Sequence, residues 1–195
     1  MYLGWLDMTE LTDPVSVSGM DAVNSEQPQA YLIRNDGYDN EYYVIENRQQ
    51  TGWDKSLPGS GLLIFHIDYN EEVWREGVPN SSSYKRYSII PANNYNGVFS
   101  SAGWAYPYNQ NNSLTNTSKP AASLFHANSD GTKLMSKPIT NMKVENGLAS
   151  FDFMGGTPSA IIQHQSPITP QTLYQYGPLR IVRSADGVVR KILKL

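Results

Sequence analysis

The sequence predicts a mainly β protein: an antiparallel β-sandwich-like domain with long polar loops, few short helices and a C-terminal hairpin tail. Tyrosine (13) far outnumbers phenylalanine (5). Asn, Ser, Thr and Gly are also abundant. Asn and Ser compete with regular structure for backbone hydrogen bonds, and tyrosine suits a half-buried pleated surface. Short apolar runs bounded by turn residues then favour strands over helices.

Four strands are predicted in the first half of the chain. Residues Gln29 to Asn35 and Glu41 to Gln49 form a hairpin across the Asp36-Gly37 step, which tolerates a positive φ. Gly61 to Asp68 is apolar on both faces, which is typical of a central strand covered on both sides. Tyr84 to Ile90 alternates well enough for a fourth strand.

Shorter elements follow these strands. Asn70 to Gly77 carries an N-cap residue, acids in the first turn and a terminal glycine, which predicts one or two helical turns. Residues 93–123 form a long loop rich in Asn, Ser, Tyr and Gly, a length typical of a functional or an anchored segment. Two last strands, 139–144 and 148–153, are joined by an Asn146-Gly147 turn.

The chain is predicted to have three parts. Residues 1–156 form the β-rich domain, 157–171 a Pro/Gly linker, and 172–195 a basic β-hairpin or tail. From Leu179 onward there are five basic residues and one acid, whereas the preceding part has ten basic and seventeen acidic residues. The tail can therefore serve in secretion or anchoring, or its charges can simply protect edge strands from aggregation.

Composition excludes several classes of function. An acidic body has no basic face to neutralise phosphates, so we expect no nucleic-acid partner. The chain contains no cysteine, which excludes disulfides, thiolate zinc sites and a cysteine nucleophile. Its longest uncharged apolar run, around residues 62–67, is too short to cross a membrane.

Residues 42–68 read YYVIENRQQTGWDKSLPGSGLLIFHID, and this stretch resembles a signature of the immune inhibitor A-like secreted zinc metallopeptidases. Leu3-Gly4-Trp5, Lys137-Pro138-Ile139-Thr140-Asn141 and Phe151-Asp152-Phe153 resemble further pieces of that family in the same order. The resemblance covers about residues 1–156. It implies the β-rich region that follows the catalytic module.

The resemblance implies that catalysis belongs to another part of the enzyme. The zinc of such enzymes is bound by an HExxH motif, in which two histidines bind the metal and the glutamate activates water. The histidines here are His66, His126 and His164, and none is followed by a glutamate in that spacing. We therefore expect a non-catalytic part of a secreted or cell-surface zinc metalloendopeptidase, whose partner is the catalytic module. Acids that relatives carry near residues 93–94 are replaced by asparagine here.

Two groups of residues are candidate metal ligands. Glu46, His66 and Asp68 combine a histidine with two carboxylates, which suits a transition metal and, as a weaker hypothesis, a metal-dependent hydrolase. Asp36, Asp39 and Glu41 supply oxygen ligands of the kind calcium prefers. The alternatives are that His66 and Asp68 make hydrogen bonds within the sheet and that the acids of the turn face water.

The aromatic residues support a second hypothesis from another class. Trp53, Trp104, Tyr106 and Tyr108 are candidates for a peptide- or glycan-binding platform, which would make the chain an extracellular binding module built on the 93–123 loop. The alternative is that they are core or loop anchors. The accessory-domain hypothesis predicts an exposed apolar patch near Met1 to Leu6, and the binding-module hypothesis predicts an aromatic-lined groove.

Overall fold

The computed structural model describes residues 6–95, 97–156, 171–176, 179–183 and 189–193 of the chain. The chain divides into two units, Met1–Ile162 and Gln163–Leu195. The described residues of the first unit form eight strands in two sheets, and the fold class predicted from the sequence is confirmed.

A five-stranded sheet forms the larger layer of the first unit. Its strands lie in the order β1-β3-β4-β5-β6. Their bounds are β1 Thr9–Glu10, β3 Ala30–Arg34, β4 Glu41–Arg48, β5 Gly61–Asp68 and β6 Tyr87–Ile89. The strands pair antiparallel except β1, which runs parallel to β3. The central position predicted for residues 61–68 is correct, since β5 has a neighbour on each side. The predicted cover on both faces is only partial, because the residues packed around Phe65 and Ile67 are themselves half-buried.

A three-stranded antiparallel sheet forms the second layer, in the order β2-β8-β7. Its strands are β2 Val15–Met20, β7 Ile139–Glu145 and β8 Leu148–Phe153. The register shifts in both pairings, between Val17 and Met20 and between Thr140 and Lys143. These irregularities bend the sheet, as β-bulges do.

The main core lies between the two sheets. We call the face of the five-stranded sheet that lines it the inner face. It contributes the alternate side chains Tyr31, Ile33, Tyr43, Ile45, Leu62 and Ile64, all buried. Opposite them lie side chains of the smaller sheet, and the rings of Tyr31 and Phe151 meet edge to face at 5.7 Å. Such aromatic pairs add to the free energy gained by burial alone.

The long segment between β6 and β7 completes the core instead of forming a separate lobe. Its residues Tyr106, Leu114, Leu124 and Met135 are buried against the inner face. Tyr106 exchanges backbone hydrogen bonds of 2.8 Å with Leu62. A Cβ at Gly61 would come within 2.5 Å of the Tyr106 carbonyl oxygen, so this glycine permits the close approach of the segment.

The helices are short. The helix α1 spans Glu71–Arg75, and the side chain of Asn70 caps it by accepting from the backbone N–H of Val73 at 3.1 Å. Two 3-10 helices, Gly52–Asp54 and Val98–Gly103, lie in connections. None of the helices in the described ranges is both long and apolar enough to cross a membrane.

The second unit forms a three-stranded antiparallel sheet in the order β11-β10-β9. Its strands are β9 Gln171–Tyr176, β10 Leu179–Arg183 and β11 Val189–Leu193. The pairing of β10 with β11 corresponds to the predicted hairpin. The strand β9 was not predicted from the sequence. The predicted linker lies outside the described residues except for Gln171, which begins β9.

Candidate functional site

A cluster of polar side chains lies at the end of the inner face where β4 begins and β5 ends. The strand register places Glu41 opposite Asp68 and Tyr43 opposite His66. Alternate residues of a strand share a face, so Glu41, His66 and Asp68 point the same way. The side chains of Glu41 and Asp68 are both 0% exposed. Burial of two carboxylates is costly unless their charges are matched by donors.

Glu41 has a full set of donors. His66 Nε2 lies 2.7 Å from Oε1, and because a carboxylate only accepts, this nitrogen carries the proton. The backbone N–H groups of Phe125 and His126 donate to Oε1 and Oε2 at 2.5 and 3.0 Å, and Asn35 Nδ2 donates to Oε2 at 3.0 Å. Burial raises the pKa of Glu41, but these hydrogen bonds outweigh it and hold the pKa below its ordinary value.

Asp68 is held mainly through one of its two oxygens. Tyr84 donates its hydroxyl to Oδ2 at 2.6 Å, and Arg86 Nη1 lies 2.5 Å from the same oxygen. Burial first, and then the bond to Asp68, raises the pKa of the Tyr84 hydroxyl. The other oxygen, Oδ1, lies 3.4 Å from Nε2 of His126.

Aromatic rings hold the cluster together. The Phe125 ring stacks on His66 at 4.5 Å and meets Tyr84 at the same distance. The Tyr38 ring lies on His126, with their centroids 4.0 Å apart. His66 and His126 therefore each have a fixed ring orientation as well as a carboxylate neighbour.

The contacts of this cluster indicate that it anchors the long segment to the sheet. Segment residues 123–126 donate to Glu41 and accept from Asn35, and the hydroxyl of Tyr43 donates to the Ser123 carbonyl at 2.7 Å. In the part of the chain that the structure describes, no three His, Cys, Asp or Glu side chains are arranged to bind a metal ion. The carboxylate of Glu41 is committed to holding the segment and is not free for acid–base chemistry.

The structure does not bring Glu46 to His66 and Asp68. Glu46 is five residues beyond Glu41 on the same strand, and an odd separation places its side chain on the opposite face of the sheet. There it pairs with Arg48 at 2.8 Å, and Arg48 also contacts Asp54 at 3.2 Å. His66 has Glu41 as its carboxylate partner instead.

The three residues considered for calcium are also separated. Asp36 pairs with Lys137 Nζ at 2.6 Å, and Asp39 is exposed in the turn. Glu41 points into the buried cluster. The turn itself needs Gly37 for space, since a Cβ there would collide with the backbone of Ala127 and Asn128. The φ of Gly37 is not positive, in contrast to what the Asp36-Gly37 step suggested.

The four candidate aromatics have three different environments. Tyr106 is 0% exposed and belongs to the core. Trp104 is half-buried and donates Nε1 to the Tyr95 carbonyl at 3.1 Å, so it anchors the loop. Trp53 is 99% exposed on the 3-10 helix Gly52–Asp54, and Tyr108 is partly exposed. These residues do not share one surface position in the way a binding platform requires.

A second candidate site lies on the opposite, outer face of the five-stranded sheet. Its apolar centre consists of Ala30, Val44, Phe65 and Ile67. The residues packed around this centre are only partly buried, and they are Leu6, Met8, Tyr42, Leu63, Tyr69, Trp74 and Ile89. Tyr87, whose ring stacks on Phe65 at 5.4 Å, is 43% exposed. The described residues therefore cover this face incompletely.

Charged groups and a groove border the outer face. The Glu46–Arg48–Asp54 ion pairs lie toward the end of β4 that leads to Trp53. At the other edge, beside β1, a groove of about 250 Å³ is lined by Leu6, Asp7, Met8, Glu10, Leu32 and Arg34. An apolar centre with a polar border is typical of a protein–protein interface.

Sequence reasoning missed His126, Phe125, Tyr84 and Arg86 as members of the buried cluster. They come from connections far from Glu41 in sequence, and no local spacing indicates such a contact. The position of Glu46 relative to His66 and Asp68 depends on the register of β4 with β5, because the residues lie on different strands. The outer face was indicated only by the apolar residues on both faces of the 61–68 strand.

Comparisons of this chain with protein-family models, with curated proteins and with solved structures found no match. The family resemblance drawn from the sequence stays a prediction.

Proposed function

We propose that this chain is the non-catalytic β-rich portion of a secreted zinc metallopeptidase, and that it supports or shapes the catalytic module by packing against it. The observation that carries the proposal is the incompletely covered outer face of the five-stranded sheet. A sheet face with a buried apolar centre gains free energy from any further apolar surface that covers it.

The residues of the outer face suit a protein partner. Leu63, Ile89 and Tyr87 offer apolar area next to Phe65, and Trp53 projects into solvent at one end. Tryptophan is enriched among the residues that contribute most to binding at protein interfaces. Leu6 and Met8, which precede β1, pack on the same face.

The resemblance supplies the identity of the partner. In the proposed arrangement the zinc and its HExxH motif belong to the catalytic module, and this chain contributes packing without a catalytic group. Part of the predicted patch near Met1 to Leu6 lies outside the described residues, while Leu6 itself contacts the outer face. Export to the cell surface or medium belongs to the same proposal.

The alternative of a free-standing glycan- or peptide-binding module has less support. It requires the aromatics of residues 93–123 to line a groove, yet Tyr106 lies in the core and Trp104 bonds to its own loop. The hydrolase hypothesis requires Glu46 on the face that carries His66, and it lies on the other one.

The test is a protease assay on the chain alone and on the chain expressed together with the segment that its genome encodes upstream of Met1. We expect peptide hydrolysis only when both are present, with loss of activity on addition of a zinc chelator. Absence of an HExxH-bearing segment, or full activity of that segment without this chain, contradicts the proposal.

A further inference from the structure

Two buried atoms of the polar cluster have no hydrogen-bond partner among the described residues: Asp68 Oδ1 and His126 Nε2. The Asp68 side chain is 0% exposed. Nearly all buried polar atoms in proteins are hydrogen-bonded, so an unpartnered carboxylate oxygen and an unpartnered imidazole nitrogen side by side require an explanation.

Their separation points to a shared ligand. The two atoms lie 3.4 Å apart without the alignment of a hydrogen bond. Zinc binds nitrogen and oxygen donors at about 2.0–2.1 Å, so two donors on one tetrahedral zinc lie roughly 3.3 Å apart. We propose that Asp68 Oδ1 and His126 Nε2 bind a divalent transition metal of the zinc class, with water completing its coordination.

The groups around Asp68 are arranged to hold its carboxylate in place as a metal ligand. Tyr84 and Arg86 both bind Oδ2, which fixes the carboxylate and leaves the lone pairs of Oδ1 free. Hydrogen bonds of this kind orient metal ligands in known sites. Glu41 and Asp68 together carry two negative charges against the single positive charge of Arg86, so the cluster can accept an additional cation.

His126 is positioned for the same purpose. Its backbone N–H donates to Glu41 and its ring lies against Tyr38, so both the backbone and the imidazole plane are held. The His126 side chain is 40% exposed, so the imidazole borders solvent although Nε2 itself is buried beside Asp68. Imidazole nitrogen with a carboxylate oxygen is a donor set suited to zinc.

This site differs from the Glu46–His66–Asp68 grouping considered from the sequence. His66 Nε2 is committed to Glu41, and Glu46 lies on the outer face. Only Asp68 is common to the two. With two protein ligands, we expect weaker binding than in structural zinc sites, which have four.

The test is titration of the metal-free chain with zinc chloride, with binding measured by calorimetry and by NMR of the histidine rings. We expect one zinc per chain, with the ring resonances of His126 shifting to saturation. His126→Gln should weaken the affinity at least about tenfold, and Tyr84→Phe should weaken it by roughly the same factor, because the Tyr84 hydroxyl orients the Asp68 carboxylate. His164→Gln is the control for adventitious binding by another histidine, and it should leave the affinity unchanged.

Three results would overturn the inference. The first is no saturable binding up to about 1 mM zinc, the limit of weak affinity. The second is binding that His126→Gln leaves unchanged or that His164→Gln abolishes. The third is a His126 ring that donates Nε2–H to Asp68 in the metal-free protein and keeps doing so in excess zinc, which would identify a plain hydrogen-bonded pair.

Discussion

The inner and outer faces of the five-stranded sheet are built from the same strands but differ in how they are covered. The inner face lies under the smaller sheet and the 93–138 segment, and its side chains are almost all inaccessible to solvent. The outer face has a buried centre surrounded by half-buried residues. One face therefore stabilises the domain, and the other has apolar area left for a partner.

The polar residues of the two faces also differ in their role. On the inner side, the buried carboxylates of Glu41 and Asp68 hold the long segment in place. On the outer side, the buried Glu46 pairs with the partly exposed Arg48. The polar groups of the inner face determine the structure, whereas those of the outer face can contribute to specificity for a partner.

The sharpest test of the comparison uses two neighbours on β5. Ile64 is fully buried on the inner face, and Leu63 is half-buried on the outer face. We expect Ile64→Ala to lower the free energy of unfolding by about 3–4 kcal/mol, since it leaves a cavity in a packed core. Leu63→Ala should cost no more than about 1.5 kcal/mol. Urea denaturation of both variants checks this, and equal losses would show that the outer face is already complete.

Glu41→Gln tests the anchoring of the segment. The amide cannot accept from all of the donors around Glu41, and we expect a loss of about 3 kcal/mol, the magnitude typical of breaking a buried charged pair. Hydrogen exchange should rise at Phe125 and His126, whose N–H groups lose their acceptor. Unchanged protection there would contradict the anchoring role.

The pH dependence of this loss has a defined sign. The pKa of Glu41 is lower in the folded protein than in the unfolded chain, so its contribution is present above the unfolded value, about 4.3, and is lost as pH falls through the folded value. The difference in stability between the wild type and Glu41→Gln should therefore shrink below about pH 4. Urea titrations at pH 7, 4 and 3 measure it, and a difference that grows on acidification would contradict the assigned direction.

Asn70→Ala tests the cover over one end of the outer face. Asn70 caps α1, and Trp74 of that helix packs on the outer cluster against Tyr69. Loss of the cap should cost about 1 kcal/mol. The Trp74 indole should at the same time become more accessible to solvent, as measured by fluorescence. An unchanged accessibility would show that the helix does not depend on its cap.

Trp53→Ala should have the smallest effect on the isolated domain. Its side chain is 99% exposed, so we expect a change in stability within about 0.5 kcal/mol. Its effect should appear only in complex with a partner, as slower or weaker association. A marked loss of stability without a partner would show that the indole packs within the domain.

Sequence patterns predicted the fold well where structure depends on neighbouring residues. The strands of the 29–68 region and the Asn146-Gly147 hairpin follow from alternation and turn residues, and they are found at the expected places. The strand β2 was overlooked although Val15, Ser16, Val17 and Ser18 alternate, because Gly19 interrupts the pattern at a bulge. The two-residue strand β1 is too short to give a pattern.

The site was less predictable because its contacts are distant in sequence. The sequence singled out His66 and Asp68, but their partners Glu41, His126 and Arg86 depend on strand register and on the course of a long segment. The role of Tyr106 as a core residue also depends on that course. An aromatic residue in a polar loop gives the same sequence pattern whether the loop packs onto the core or faces solvent.

The most direct measurement of the central claim is the affinity between this domain and the proposed catalytic module for two matched variants. Leu63→Lys introduces a charge on the outer face, where Glu46 is its register partner and can keep the isolated domain folded. Leu148→Lys introduces the same charge on the smaller sheet, at a leucine that is 43% exposed. We predict that Leu63→Lys weakens binding at least about a hundredfold while Leu148→Lys leaves it unchanged. Equal binding by the two variants would contradict the assignment of the outer face as the docking surface.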